Sequence, residues 1–225
     1  MNVYTGKSVF HAGSHATGTV LMKFVRLLVQ AMIGLTALGV HAQGGRDMTE
    51  EEYALLPEYC RYKAWVSNTH PNPPKSEKWE NFFGRDFVHI HHYCWGLVWL
   101  GRANRSGVSE QDRKTLLIMA HGGANYVLEN TGPNFPIRAE LYTRQLEISL
   151  LQRNENAAEH AFRKAVEANP KFVRAYWLRA YWLFKRGKLP EAMKVAEQGL
   201  EQVPESKMLN ELVAEMRAAR KSQGK

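Results

Sequence analysis

The residues of this chain best suited to chemistry are three histidines and two cysteines. They are His89, His91, His92, Cys94 and Cys60. Imidazole nitrogens and thiolates are preferred zinc ligands. On a helix His91 and Cys94 share one face, so Cys60, His91 and Cys94 could together hold a metal or cofactor. Their spacing matches no metal motif such as H-E-x-x-H, and we expect hydrogen-bonded core or edge histidines and no bound metal or cofactor.

The two cysteines have a second possible use, as a disulfide. Cys60 and Cys94 are the only cysteines of the chain, which excludes a disulfide-dense scaffold and a four-cysteine zinc site. Both fall on predicted helices separated by one loop, and an oxidising compartment would favour their bonding. Closing that loop would stabilise the fold by roughly 3 to 4 kcal/mol in the chain-entropy treatment. We predict a structural disulfide, with two buried free thiols as the alternative.

Motifs for nucleophilic, phosphate or haem chemistry are missing from the sequence. It contains no G-x-S-x-G, no phosphate-binding glycine loop and no C-x-x-C-H. His121-Gly122-Gly123 has no serine or strand beside it, so the glycine pair predicts a kink or a close helix contact. We therefore expect a protein that is not an enzyme.

The N-terminal part has the pattern of a targeting segment. Lys23 and Arg26 precede an uncharged stretch over 27–40, and Val40-His41-Ala42 follows at the spacing of a cleavage site. We predict a signal peptide in residues 1–42, with Met22 as the true start, and a periplasmic or secreted mature protein. An uncleaved inner-membrane anchor is the alternative, although a spanning helix needs about 20 apolar residues.

Removal of this segment changes the charge of the protein. The whole chain has a formal net charge of +8 and is 44% hydrophobic. The segment contains three basic residues, Lys7, Lys23 and Arg26, and no acidic ones, so the net charge falls from +8 to +5. The basic residues of the second half alternate with glutamates, which is typical of a solvated helix surface. We predict no nucleic-acid partner.

Helical signals dominate the mature chain, and no convincing strand pattern occurs. Thr49-x-x-Glu52 is a capping box that opens a helical stretch to about residue 67, and Pro57 offers a second start. The region 43–85 is therefore predicted to be an N-terminal helix followed by a proline-rich loop.

The next region, 86–138, is predicted to be a helical hairpin. Asp86 would cap a buried helix over 87–103, and Ser109 would start a second helix that ends near Asn130. The fold class is therefore all-α.

The second half repeats with a period of 34 residues. Residues 154–170 and 188–204 align so that four pairs correspond: Ala158 with Ala192, Phe162 with Ala196, Ala165 with Gly199, and Pro170 with Pro204. Small residues let neighbouring helices approach closely, and the proline ends the second helix of each unit.

This 34-residue helix-turn-helix resembles the tetratricopeptide repeat family. A first copy, 139–172, and a second copy, 173–206, carry the resemblance, with Gly187 at the turn of the second copy and Arg153 at that position in the first. The resemblance implies an α-solenoid of stacked helical hairpins. It makes 86–138 a degenerate unit, 43–85 an N-terminal extension, and 207–225 a capping helix and tail.

In that family the first helix of a repeat lines a concave groove that receives peptides. On the first helix of the second copy, the predicted groove residues are Arg174, Trp177, Tyr181 and Phe184; the first copy offers Glu140, Thr143 and Glu147 instead. Aromatic and arginine side chains dominate contact energy at interfaces. The alternative is that this stripe is core that packs against the capping helix.

The sequence thus predicts a periplasmic interaction scaffold or assembly factor that binds a protein or peptide partner. Any association with a membrane would run through that partner. The alternative function, from another class, is a metal- or cofactor-binding accessory protein that uses Cys60, His91 and Cys94.

Overall fold

The structure, a computed structural model, describes residues 47–63 and 74–223. The predicted signal peptide and most of the proline-rich loop lie outside the described residues. Every regular element within the described ranges is helical, which confirms the all-α prediction. No helix in this part of the chain is long and apolar enough to cross a membrane.

The N-terminal half contains three short helices followed by a long helical pair. The elements are α1 (Glu50–Ala54), α2 (Glu58–Arg61), α3 (Glu77–Phe83), a 3-10 helix (Gly84–His89), α4 (Ile90–Ala103) and α5 (Glu110–Asn130). The second half contains five helices in succession: α6 (Arg138–Leu151), α7 (Glu155–Ala168), α8 (Val173–Lys185), α9 (Leu189–Gln202) and α10 (Lys207–Gln223).

Local hydrogen bonds set two of the predicted helix starts. The Thr49 hydroxyl accepts from the Glu52 backbone N–H at 3.2 Å, and the Glu52 carboxylate accepts from the Thr49 N–H at 3.0 Å. This capping box starts α1 as expected. At α5, the Ser109 hydroxyl accepts from the Asp112 N–H at 3.0 Å. Pro57 divides the first stretch into two helices, and α2 ends at Arg61, earlier than predicted.

The predictions around residues 77–90 need two corrections. The sequence assigned 77–83 to no helix, but α3 forms there. Asp86 does not cap a helix at residue 87, because the chain runs as a 3-10 helix until α4 begins at Ile90. Aromatic packing around Phe83 accounts for both α3 and the 3-10 helix. The centroid of the Phe83 ring lies 5.2 Å from that of Tyr59, 5.3 Å from that of Phe87 and 5.5 Å from that of Phe135. Tertiary aromatic contacts of this kind can override weak local signals.

Helices α4 and α5 approach each other through glycine. A Cβ added to Gly123 would lie 2.5 Å from the His92 carbonyl oxygen and 3.1 Å from the Cα atom of Gly96. The same addition at Gly122 would meet nothing within 4 Å. The predicted close contact therefore exists, and Gly123 alone of the pair makes it.

The backbone of the second half repeats its hydrogen bonds at the 34-residue offset. Five bonds of the first copy recur in the second: Asn154–Ser149 as Lys188–Leu183, Arg153–Leu150 as Gly187–Phe184, Ala158–Asn154 as Ala192–Lys188, Asn169–Ala165 as Val203–Gly199, and Phe172–Asn169 as Ser206–Val203, donor first. Burial follows the same period, since Leu141, Ala175 and Leu209 are each fully buried. In this pattern, α6, α8 and α10 follow one another at intervals of 34 residues.

The turn between the two helices of each copy needs a left-handed residue. Gly187 has φ +74°, and Arg153, at the corresponding position of the first copy, has φ +58°. No other non-glycine residue within the described ranges has positive φ. The two copies therefore have the same left-handed turn, but in the first copy an arginine occupies it, and a Cβ atom disfavours this backbone conformation.

We expect Gly123→Ala to lower the free energy of unfolding by about 2 kcal/mol or more, because its methyl group would press on the α4 backbone. Gly122→Ala is the matched control. It should be neutral or stabilise by about 0.5–1 kcal/mol, since it removes a glycine from an exposed helix position. Urea unfolding of both variants measures the difference in their free energies of unfolding. Equal effects would show that there is room for a methyl group between Gly123 and the α4 backbone.

We expect Arg153→Gly to stabilise the protein, and Gly187→Ala to destabilise it, each by on the order of 1 kcal/mol. The reason is the same in both, since only glycine adopts the left-handed turn without steric cost. Thermal unfolding followed by circular dichroism compares them. A destabilised Arg153→Gly variant would mean that the arginine side chain makes a contribution larger than the backbone cost.

Candidate functional site

Three of the four predicted groove residues line a groove between α8 and α10. The groove has a volume of about 500 Å³, and its lining residues are Arg174, Trp177, Tyr181, Met208, Glu211, Leu212 and Glu215. Phe184 is not among them. Its half-buried ring packs against the C-terminal core, and the Lys185 ammonium lies 5.4 Å from the ring centroid.

The α10 side of this groove was not among the predicted groove residues, although the 34-residue period contains it. Met208, Glu211, Leu212 and Glu215 follow Arg174, Trp177, Leu178 and Tyr181 by 34 residues each. Helix α10 therefore presents to the groove the three positions that α8 presents, and Leu212 in addition. Extending the period one unit further along the chain would have found these residues.

Two stacked rings form the aromatic part of the groove. The centroids of Trp177 and Tyr181 lie 5.0 Å apart, with an angle of 9° between the ring planes. The two residues are one helical turn apart on α8, so the helix itself sets their spacing. Both side chains are half-buried. The stack packs on the protein and still leaves ring surface in the groove.

The charges of the groove are mixed. Arg174 is exposed at the start of α8, whereas α10 contributes the carboxylates of Glu211 and Glu215. The Lys185 ammonium lies 3.5 Å from the Glu215 carboxylate and 5.1 Å from the Tyr181 ring centroid. These charges remain in water, where an ion pair contributes little to stability.

The corresponding face of α6 is covered by the N-terminal part of the chain. Glu140 and Thr143 stand where Arg174 and Trp177 stand in the second copy. One carboxylate oxygen of Glu140 accepts hydrogen bonds from the Tyr59 hydroxyl at 3.2 Å and the Tyr93 hydroxyl at 2.8 Å. Thr143 is only 1% exposed. This part of the face therefore belongs to the core, whereas Glu147, the counterpart of Tyr181, lines a separate cavity.

Burial raises the pKa values of Tyr59 and Tyr93, the two tyrosines whose hydroxyls donate to Glu140. It raises the pKa of the Tyr59 phenol far above its ordinary value, and the neighbouring Tyr93 and Glu140 raise it further. Burial likewise raises the pKa of the Tyr93 phenol. The raised pKa values favour the protonated phenols, whose hydroxyls donate the hydrogen bonds to Glu140.

A disulfide ties the N-terminal segment, residues 50–61 with α1 and α2, to the long helical pair. The sulfur atoms of Cys60 and Cys94 are bonded at 2.07 Å, and their Cα atoms lie 5.8 Å apart. The predicted disulfide is confirmed. The bond leaves neither cysteine with a thiolate for a metal, which the alternative site of Cys60, His91 and Cys94 requires.

An ion pair holds the other end of the N-terminal segment. The Glu52 carboxylate, 6% exposed, accepts two hydrogen bonds of 2.7 Å from the Arg102 guanidinium and one of 2.6 Å from Arg105. The segment borders a second cavity of about 510 Å³, whose α6 lining residues are Arg144 and Glu147. The N-terminal segment therefore lies beside both α4 and α6.

The histidines form a partly buried ring cluster around Tyr126. The His92 ring stacks on Tyr126 at 3.6 Å between centroids, and the His89 ring lies 5.7 Å away from the same tyrosine. Nδ1 of His91 lies 2.8 Å from the Val88 carbonyl oxygen. Burial lowers the pKa of His91 and of His92. Within residues 47–63 and 74–223, no three His, Cys, Asp or Glu side chains come together as a metal site.

The α8/α10 groove combines apolar and charged groups. Aromatic rings, thioether and aliphatic side chains, two carboxylates and one guanidinium provide apolar area and charge, without a histidine, cysteine or serine among the lining residues. No family model, curated protein or solved structure matches the chain.

The Glu52 ion pair predicts a specific pH dependence of stability. Hydrogen bonds from Arg102 lower the pKa of Glu52 from its ordinary value of 4.5 to about 2. Because the folded-state pKa is depressed, the stabilisation is complete above about pH 5 and is lost as the pH falls from 4.5 towards 2. We expect it to reach about 3 kcal/mol.

Urea unfolding of the wild-type protein and of Glu52→Gln between pH 6 and pH 2 measures this contribution. The glutamine variant should be less stable at pH 6 and should lose less stability on acidification. Parallel curves for the two proteins would contradict a stabilising role of the ion pair.

Proposed function

We propose that the chain is a non-enzymatic scaffold or assembly factor that binds a protein or peptide partner in the α8/α10 groove. The observation that carries this proposal is the stacked pair of Trp177 and Tyr181 in a groove of about 500 Å³. Tryptophan, tyrosine and arginine are the side chains that contribute most to binding energy at interfaces. Arg174 stands beside the stack in the same groove.

We further propose that 139–206 are two tetratricopeptide-like repeats, with α10 as the capping helix of the stack. The repeated hydrogen bonds, the repeated left-handed turn and the matched burial at the 34-residue offset support this assignment. A generic helical bundle does not require such a period. In a stack of this kind, the groove between successive first helices is the natural place for a partner.

The contrast between the two copies supports the choice of site. On α6, Glu140 is covered by Tyr59 and Tyr93, whereas its counterpart on α8, Arg174, lines an open groove. Through Tyr59, the N-terminal segment is thus an example of a short stretch of chain that binds to this face of a first helix. The second copy has no such segment within the described ranges, and an external partner would take the equivalent place.

We propose that the protein works in the periplasm or is secreted. The Cys60–Cys94 disulfide supports this location, because such bonds persist in oxidising compartments and are rare where thiols are kept reduced. The positive start and uncharged stretch in residues 1–42 would provide the export signal. Two free thiols in protein recovered from its native host without reductant would contradict the proposal.

Trp177→Ala should weaken partner capture by tenfold or more while the helix content stays unchanged. The partner is first recovered on tagged wild-type protein from the native host and identified, and its affinity for each variant is then titrated. Circular dichroism reports helix content. Loss of helicity in Trp177→Ala would identify Trp177 as a core residue and contradict the proposal.

The matched control is Trp182→Ala. Trp182 lies on the same helix and is also half-buried, but it faces away from the groove: its indole N–H donates to Glu155 at 3.3 Å, and the Arg186 guanidinium lies 4.5 Å from its ring. Partner affinity should be unchanged in this variant. Equal losses in both tryptophan variants would show that the partner does not use the α8/α10 groove.

A further inference from the structure

At the Tyr181 and Glu215 end of the α8/α10 groove, an aromatic ring and a carboxylate hold a cation. The Lys185 ammonium lies over the Tyr181 ring at 5.1 Å and beside the Glu215 carboxylate at 3.5 Å. An aromatic face and a carboxylate together attract an ammonium or guanidinium group, the first through its quadrupole and the second through its charge. Here the chain itself supplies the cation.

An aromatic ring and a carboxylate occur again one helical turn earlier on α8 and α10, but there no cation lies over the ring. Trp177 precedes Tyr181 by four residues, and Glu211 precedes Glu215 by four residues, so the two pairs are related by one turn of each helix. On α8, the position that would match Lys185 is Tyr181 itself. Among the described residues, no cationic side chain lies over the Trp177 ring. Within the described ranges, the ion pair of Glu211 is with Lys207 at 3.7 Å, and the Lys207 side chain is 88% exposed.

We infer that the groove binds a peptide segment through a lysine or arginine side chain placed over Trp177 and beside Glu211. This inference rests on the proposed function of the groove. Tryptophan is the strongest of the aromatic partners of a cation. Met208, 46% exposed in the same groove, would be covered by an apolar neighbour of the basic residue.

Arg174 restricts the segment further. It is exposed one turn before Trp177, within the same groove. Its positive charge repels a second basic residue at that end and attracts an acidic one. The favoured ligand is therefore a segment of mixed charge, in which a basic residue is flanked by an apolar and an acidic residue, rather than a polybasic one.

The test uses the full mature chain and a phage-displayed library of random short linear peptides. Peptides selected on the wild-type protein should be enriched in a single lysine or arginine. For a synthesised selected peptide, replacing that residue by glutamine should weaken binding on the order of tenfold, as should Glu211→Gln in the protein. Glu197→Gln is the matched control, because Glu197 is an exposed glutamate on α9 outside the groove.

A charge exchange makes the test decisive. Glu211→Lys should reject the basic peptide and should recover affinity for the same peptide with glutamate in place of its basic residue. Peptides that need Trp177 but carry no basic residue, or that bind Glu211→Lys as well as wild type, would overturn this inference and leave the proposed function standing. Selected peptides that bind Trp177→Ala as well as wild type would instead overturn the proposed function itself.

Discussion

The Cys60–Cys94 disulfide is the constraint on which the arrangement of the N-terminal half depends. Each cysteine directly follows a tyrosine, so bonding the sulfurs also brings the Tyr59 and Tyr93 hydroxyls to the same carboxylate oxygen of Glu140. Helices as short as α1 and α2 do not persist by themselves, since helix nucleation is costly. A covalent bond, a shared buried acceptor and the Glu52 ion pair together hold the N-terminal segment in place.

This anchoring makes two sequence-related copies unequal. In the first copy, the face of Glu140 and Thr143 is buried under the N-terminal part of the chain. In the second copy, Arg174 and Trp177 occupy the corresponding positions and line an open groove. The difference in residue type matches the difference in environment: a carboxylate that accepts from buried phenols on one side, and an exposed guanidinium beside aromatic rings on the other. The open groove thus lies at the C-terminal end of the described helices.

Close helix contacts explain where small residues are needed and where they are not. Gly123 touches the backbone of α4, and a Cβ on Gly199 would lie 2.6 Å from the Leu209 side chain and 2.8 Å from Tyr176. Gly122 and Gly101 would tolerate a Cβ. The turn at Arg153 shows the reverse case, since tertiary packing there imposes a left-handed backbone on an unsuitable residue. The 34-residue geometry therefore prevails over the local preference of that side chain.

The sequence by itself determined the features whose cause is local or repeated. The starts at Thr49 and Ser109 depend on hydrogen bonds across three residues, and the two cysteines had one possible partner each. The 34-residue period placed α6 to α9, and the family resemblance drawn from that period indicated three residues of the groove. Only the tertiary structure decided that α3 forms and that α4 begins at Ile90. It also decided that Phe184 lies outside the groove and that Tyr59 and Tyr93 cover Glu140. Those outcomes depend on contacts such as Tyr59 with Glu140, whose residues lie 81 positions apart, and no pattern within one helix records which distant side chain will cover it.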